Sequence, residues 1–303
     1  MAEKLGYQPN VAARNLALLR SERKGAGDLP IAWINQESRR DHWRVDPGAK
    51  AYLDGARRRA IEAGYHLEEI WTQEPGMTAA RIVQIIRARG VEGVVFPVHR
   101  SFDFSLLNQG WNDFAMAGFN DLRLSEWVDV VAPDYHKNLD TALRRLGHLG
   151  FERPGLVLTP HFDAASQGLT HGAYLRYQSE QRAEDRIPVC FPGGNSSSDA
   201  EMMEEWFREH RPDVVIGCGQ GPVSHASGDW AGCTCVQLQG PGEGFDAGID
   251  SGAADIASAA IDCVVEKLRR FEKGVRDSSR LHLIKGTWEE RGLVRREAET
   301  IVA

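Results

Sequence analysis

Nucleophiles, phosphate-cradling loops and metal ligands are the constellations that most often carry catalysis, and this sequence offers a near miss for each. Ser196-Ser197-Ser198-Asp199 could present a nucleophile, but it lacks the Gly-x-Ser-x-Gly turn that lifts a catalytic serine between strand and helix. It reads instead as a loop with an N-cap ahead of a helix over Glu201 to His210. Gly217-Cys-Gly-Gln-Gly221 has the small residues of a phosphate loop, yet no Gly-x-Gly-x-x-Gly leads into a helix and a ribose-binding acid. The ten histidines show no metal-ligand spacing such as His-x-x-x-His. The five cysteines, Cys190, Cys218, Cys233, Cys235 and Cys263, are odd in number and scattered, and Cys233-Thr-Cys235 has neither a second pair nor nearby histidines. They read as reduced, buried thiols. No catalytic residue, metal or cofactor is expected.

The elements that would position a site alternate regularly. Ile31-Ala-Trp-Ile34 is a buried strand by length and content, stopping at Asn35-Gln36. A charged loop through Arg39, Arg40, Asp41, His42 and Trp43 follows, and after Asp46-Pro47-Gly48 a helix is predicted with Tyr52, Ala56, Ala60 and Ile61 near one face, ended by Gly64. His66 to Trp71 is the next strand, Met77 to Arg89 an amphipathic helix bearing Ile82, Ile85 and Ile86, and Val91 to Val98 a third strand. Strand-helix alternation in this order gives parallel pairing with right-handed crossovers. Strands at Phe114 to Phe119 and Val128 to Ala132 continue it, a helix spans Asp134 to Leu149, and Pro154 to Leu158 opens a second copy of the pattern. That copy holds a helix over Gly172 to Arg182, an extended Ile187 to Phe191, a helix over Ser198 to His210 and a strand at Val214 to Gly217. Cys235 to Leu238, the helix Ala253 to Phe271 and the strand-like Leu281 to Ile284 complete the chain.

At 303 residues there is room for two domains with substantial cores. The net charge of −7 argues against a chain that coats nucleic acid over its whole surface, so any DNA contact must be local. The amino terminus fits that demand, with Arg14, Arg20, Arg23 and Lys24 against Glu22. No window approaches about 18 consecutive apolar residues, and the first residues have no apolar core followed by a small-residue cleavage site. A cytoplasmic location is expected.

The stretch Leu5-Gly-Tyr-Gln-Pro-Asn-Val-Ala-Ala-Arg-Asn-Leu16 ends one helix at Gly6 and restarts another after Pro9. The restarted helix makes only about two to three turns, too few to be stable alone in water. This stretch resembles the end of the recognition domain and the hinge helix of the LacI/GalR family of bacterial transcriptional regulators. Further along, Val130-Val-Ala-Pro-Asp134 with the helix to Gly150 and the strand to Val157 is similar to the start of that family's second lobe. Ile284-Lys-Gly-Thr-Trp-Glu-Glu-Arg291 resembles its closing strand. The resemblance implies an α/β, two-lobed periplasmic-binding-protein-like type I fold, each lobe a doubly wound parallel sheet, preceded by a hinge helix. Residues 1–27 would be the remnant of a DNA-binding domain, hinge helix and linker. Residues 28–132 and 253–276 would form the first lobe, and 133–252 and 277–303 the second. Family members carry a helix-turn-helix before the hinge, and this chain begins inside the last of its helices.

In the family, paired hinge helices order on operator DNA and wedge a leucine into the minor groove, a device that bends DNA. The resemblance places that wedge at Leu16, with Pro9, Asn10, Ala13, Arg14 and Asn15 as its DNA-contacting neighbours. Loops after the strands of both lobes supply polar groups and an aromatic face to a small effector. The corresponding positions are Asn35, Gln36, Trp43, His99, Asn120, Asp134, His161, Gln220, Gln239 and Ser251, with Pro97 and Thr159 beside them. Neutral donors and acceptors with an aromatic ring suit a sugar or related polyhydroxyl metabolite. Two departures stand out. The arginine that clamps effector in many members aligns with Leu169, ahead of Gly172, and their Asn-Asp pair aligns with Cys218 and Gly219. For Asp134, an N-cap role is at least as well supported as a ligand contact. The expectation is a non-enzymatic, effector-controlled regulator of operator DNA acting as a homodimer or tetramer. The alternative is a solute-binding protein of the same fold without DNA function.

Overall fold

The computed structural model describes residues 29–99, 102–108, 110–193, 197–218, 233–239, 245–275 and 278–293. The hinge positions Pro9, Asn10, Ala13, Arg14, Asn15 and Leu16, and the candidate ligand residue Gln220, lie outside this set.

Two compact units make up the body. Among the described residues, one takes in those up to Phe119, Leu124–Val131 and those of Ala253–Arg280, and the other Asn120–Arg123, those of Ala132–Gly252 and those from Leu281. In the first, β1 (Leu29–Asn35) is followed by a one-turn α1 (His42–Val45), then α2 (Pro47–Glu62), β2 (Tyr65–Trp71), α3 (Ala79–Ala88), β3 (Gly93–Pro97), β4 (Ala115–Phe119) and β5 (Asp129–Pro133). Ile31, Ala32, Trp33 and Ile34 are fully buried, as continuous apolar runs are when both faces of a sheet are covered. Strand order is β2-β1-β3-β4-β5, and β1 to β5 pair in parallel. From β1 the chain moves outward to β2 and then back past it to β3. Right-handed crossovers therefore put α2 and α3 on opposite faces, and the reversal leaves a crevice at the carboxyl ends of β1 and β3.

The helix α8 (Ala253–Arg270) returns to this unit and packs along α2. The approach is close because Gly55 has no side chain: a Cβ there would stand 2.5 Å from the Ala254 carbonyl oxygen. Lys267, on the buried side of α8, makes a 3.0 Å ion pair with Asp129 and donates to the Met116 carbonyl at 2.7 Å, so its buried charge is compensated.

The second unit follows with α4 (Tyr135–His148), β6 (Pro154–Leu158), α5 (Pro160–Ala165), α6 (Leu169–Glu180), α7 (Ser197–His210), β7 (Val214–Cys218), β8 (Thr234–Gln237) and β9 (Ala247–Asp250). Its sheet runs β6-β7-β8-β9 in parallel, closed by β11 (Thr287–Glu290) antiparallel to β9. β10 (Leu281–Ile284) precedes β11 in the chain.

Several local expectations are corrected. Ile61 is 67% exposed: the buried positions of α2, Ala49, Tyr52, Leu53, Ala56 and Ala60, recur at three- and four-residue steps, and Ile61 falls past their edge. The extended Ile187–Phe191 shrinks to one parallel bridge between Val157 and Cys190, because Pro188 and Pro192 remove ladder donors on either side. α6 begins at Leu169, three residues early, since Gly168 adopts φ +73° and turns the chain straight out of α5. The helices α1 and α5 replace segments read as loop.

Candidate functional site

The crevice of the first unit is built from the turn after β1. Asn35, last residue of that strand, donates through Nδ2 to the Arg40 carbonyl (3.1 Å) and to Glu69 Oε1 (2.7 Å), and its Oδ1 accepts from the Glu37 N–H (3.0 Å). Gln36 is fixed in the same way: its Oε1 accepts from the Asp103 N–H at 2.6 Å and its Nε2 donates to the Asp103 carbonyl at 3.4 Å. Trp71 Nε1 donates to the Glu37 carbonyl at 2.8 Å. The bonds from Asn35 and Trp71 hold the Glu37 backbone from two sides, and the turn of α1 then brings His42 and Trp43 inward. Both are buried.

His42 Nε2 faces His99 Nδ1 at 2.9 Å, so one ring donates and the other accepts. Glu37 Oε2 lies 3.9 Å from His42 Nε2, and Asp46 Oδ1 lies 4.0 Å from the far nitrogen of His99. Asp46 has a second task, capping α2 by accepting from Gly48 N–H and Ala49 N–H at 3.0 and 3.1 Å. Trp43 fills the floor. It meets Trp33 edge-on with ring centres 5.0 Å apart and lies 5.7 Å from the His99 ring, while Tyr52 stacks on Phe119 at 5.2 Å. The indole N–H groups of Trp33 and Trp43 are buried without a partner among the described residues. Such donors are costly to leave unmet, by about 1–3 kcal/mol each.

The second unit has its own recess, lined by Pro133, Tyr135, Asn138, Phe162, Thr170, Leu238 and Gln239. Asp134 caps α4 by accepting from the Lys137 N–H at 3.0 Å. Tyr135 then donates its hydroxyl to the carbonyl of Asn120, a residue held at φ +69°, and its ring meets Phe162 edge-on at 5.4 Å. Phe162 is placed by α5, which Thr159 caps and Pro160 starts. The Thr170 hydroxyl is fully buried and has no partner among the described residues. Gln239 is exposed at the rim, His161 is exposed on α5, and Ser251 is buried after β9. Leu169, where the arginine clamp aligns, is 37% exposed, and Cys218 is buried with its thiol pushed well above the ordinary range by desolvation.

Asn35, Gln36, Trp43 and His99 thus lie in the segments that follow β1 and β3, and Asn120, Asp134 and Gln239 lie about the recess of the second unit. Sequence reasoning missed His42 as the partner of His99, and Glu37 beside His42, because residues 57 positions apart carry no local spacing. It also missed Tyr135, Phe162 and Thr170, although Thr159-Pro160 is a legible helix start that could have flagged Phe162.

Two parallel, doubly wound α/β units of this strand order define the two-lobed periplasmic-binding-protein-like type I fold. No family profile and no curated protein sequence matches the chain. Solved structures do. One is the transcriptional regulator CelR in complex with cellobiose, with a TM-score of 0.60 and 14% identity, covering 95% of this chain and 86% of that one. A Lac repressor dimer bound to operator and the anti-inducer ONPF superposes with a TM-score of 0.61 at 13% identity, over 94% of this chain and 98% of that one. A LacI family regulator, CCPA, from Weissella paramesenteroides with bound glucose gives 0.59 at 14% identity, over 88% and 98%. The chain is similar to all three in fold.

Proposed function

We propose that this chain is a DNA-binding transcriptional regulator of LacI type, whose two units bind a small effector, a sugar or related polyhydroxyl metabolite, and control operator binding through the hinge helix. One observation carries the reading. The hinge-like stretch Leu5 to Leu16 heads a body whose fold is that of regulators solved with cellobiose, with glucose and with operator. Residues about the recess of the second unit support the ligand class: neutral amides at Asn120 and Gln239, hydroxyls at Thr170 and Tyr135, and the aromatic rings of Tyr135 and Phe162. With Leu169 and Cys218 at the usual anchor positions, the effector is held by neutral hydrogen bonds rather than by a bidentate cation and a carboxylate. The protein acts as a homodimer and not as an enzyme. Effector and DNA each favour one arrangement of the units, and the regulatory response is the shift between them.

Calorimetric titration of the full chain with a panel of mono- and disaccharides tests the ligand class. At least one sugar binds saturably, and at about 100 times its Kd it stabilises the fold by about 2.7 kcal/mol. Gln239→Ala, an exposed rim residue, weakens binding without lowering the melting temperature of the free protein. A panel that leaves both heat and melting temperature unchanged contradicts the ligand assignment.

A further inference from the structure

We propose that Glu37, His42 and His99 form a binding site for a divalent transition metal of the zinc class. The ligand-capable atoms of these three side chains all lie within 4.8 Å of one another. Two imidazole nitrogens and one carboxylate oxygen are a donor set that zinc accepts, and three protein donors leave a coordination position for water or a ligand oxygen. The inference goes beyond the regulator reading and does not rest on it.

The geometry is close to what an ion needs. Two nitrogens on one tetrahedral zinc, each bonded at about 2.0–2.1 Å, stand about 3.3 Å apart. His42 Nε2 and His99 Nδ1 are 2.9 Å apart, so the rings must part by a few tenths of an ångström, and Glu37 Oε2, now 3.9 Å from His42 Nε2, must draw in by a similar amount. The surroundings are those of a built site. Glu37 and His42 are buried, the side chain of His99 is 10% exposed, and the bonds from Asn35 and Trp71 fix the Glu37 backbone before any ion arrives. Behind His99, on the nitrogen that would not bind the ion, stands Asp46 at 4.0 Å. Metal-bound histidines almost always present that second nitrogen to a carboxylate or carbonyl, which sets the tautomer and raises ligand basicity. The position matters too, because the cluster occupies the carboxyl ends of β1 and β3, where the strand order reverses.

The test uses the full chain, stripped with chelator and titrated with zinc against a chromophoric competitor, and in parallel with cobalt(II) followed by visible absorption. One equivalent of zinc binds and raises the melting temperature, and cobalt gives the d–d bands of a four- or five-coordinate site with no sulfur-to-metal charge-transfer band. Asp46→Asn, which keeps a capping side chain, weakens zinc binding about 10–100-fold. His42→Ala, His99→Ala and Glu37→Gln weaken it more than that, while His282→Ala, on exposed β10, leaves it unchanged. If His42→Ala does not fold, as judged by circular dichroism, His42→Gln takes its place. Zinc binding that survives in the His42→Ala/His99→Ala double variant, a sulfur charge-transfer band, or no stoichiometric zinc binding by the parent chain each overturns the proposal. In those cases the two rings are a hydrogen-bonded pair.

Discussion

Burial pushes the thiols of Cys190 and Cys235 up to about 12 and that of Cys263 up to about 11, from an ordinary value of 9.0, and Cys218 moves further in the same direction. The folded chain therefore holds these protons where the unfolded chain has released them. Their contribution to stability is complete below 9.0 and is lost as pH rises through the folded values, at up to about 1.4 kcal/mol per pH unit for each thiol inside that window. Urea denaturation scanned from neutral to alkaline pH shows a midpoint that declines above 9.0, and Cys235→Ala makes the decline shallower. A midpoint whose alkaline slope is the same in parent and variant contradicts the burial of that thiol. At this scale the sequence was legible where chemistry is local: five scattered cysteines read as buried thiols, and four are buried and one partly so. It was silent where chemistry is assembled from afar. Asn35, a candidate ligand contact, ties the β1 turn to β2 through bonds to the Arg40 carbonyl, the Glu37 N–H and Glu69, and the residue it orients, Glu37, carries no local motif.

Helix α2 and helix α4 show why some elements announce themselves and others do not. α4 is bracketed by Asp134, whose side chain caps its first turn, and by Gly150 at φ +86°, so both ends are written in its own residues. The fully buried strands β3 and β6 are equally plain, since continuous apolar runs have few other places to go. α1 is a single turn formed where β1 hands the chain to α2, and its existence depends on the aromatic packing of Trp43 against Trp33 rather than on any periodicity. The contact between α2 and α8 is likewise non-local: nothing about Gly55 in the sequence points to Ala254. Two glycine substitutions separate these effects. Gly55→Ala forces a Cβ into backbone 2.5 Å away and destabilises by about 1–3 kcal/mol. Gly147→Ala, at an exposed position of α4 with nothing within 4 Å of the added carbon, stabilises by about 0.5–1 kcal/mol through helix propensity. Denaturant midpoints for both variants check the pair, and equal signs would contradict the packing described.

At the scale of the whole molecule, the division into two units was legible because the strand-helix alternation restarts after Gly150, and each unit has its own parallel sheet. The hinge-like stretch lies outside the described residues, and its proposed role rests on the resemblance of Leu5 to Leu16 to the LacI/GalR hinge. Under the proposed regulator reading, effector and DNA would be coupled as two equilibria, and reciprocally. The most direct test is the affinity and bending of operator DNA by the chain carrying a helix-turn-helix segment ahead of residue 1, with Leu16 intact or changed to serine. The regulator reading predicts that Leu16→Ser abolishes bending and lowers affinity at least about tenfold, a loss of about 1.4 kcal/mol. Unchanged bending and affinity in that variant would contradict it.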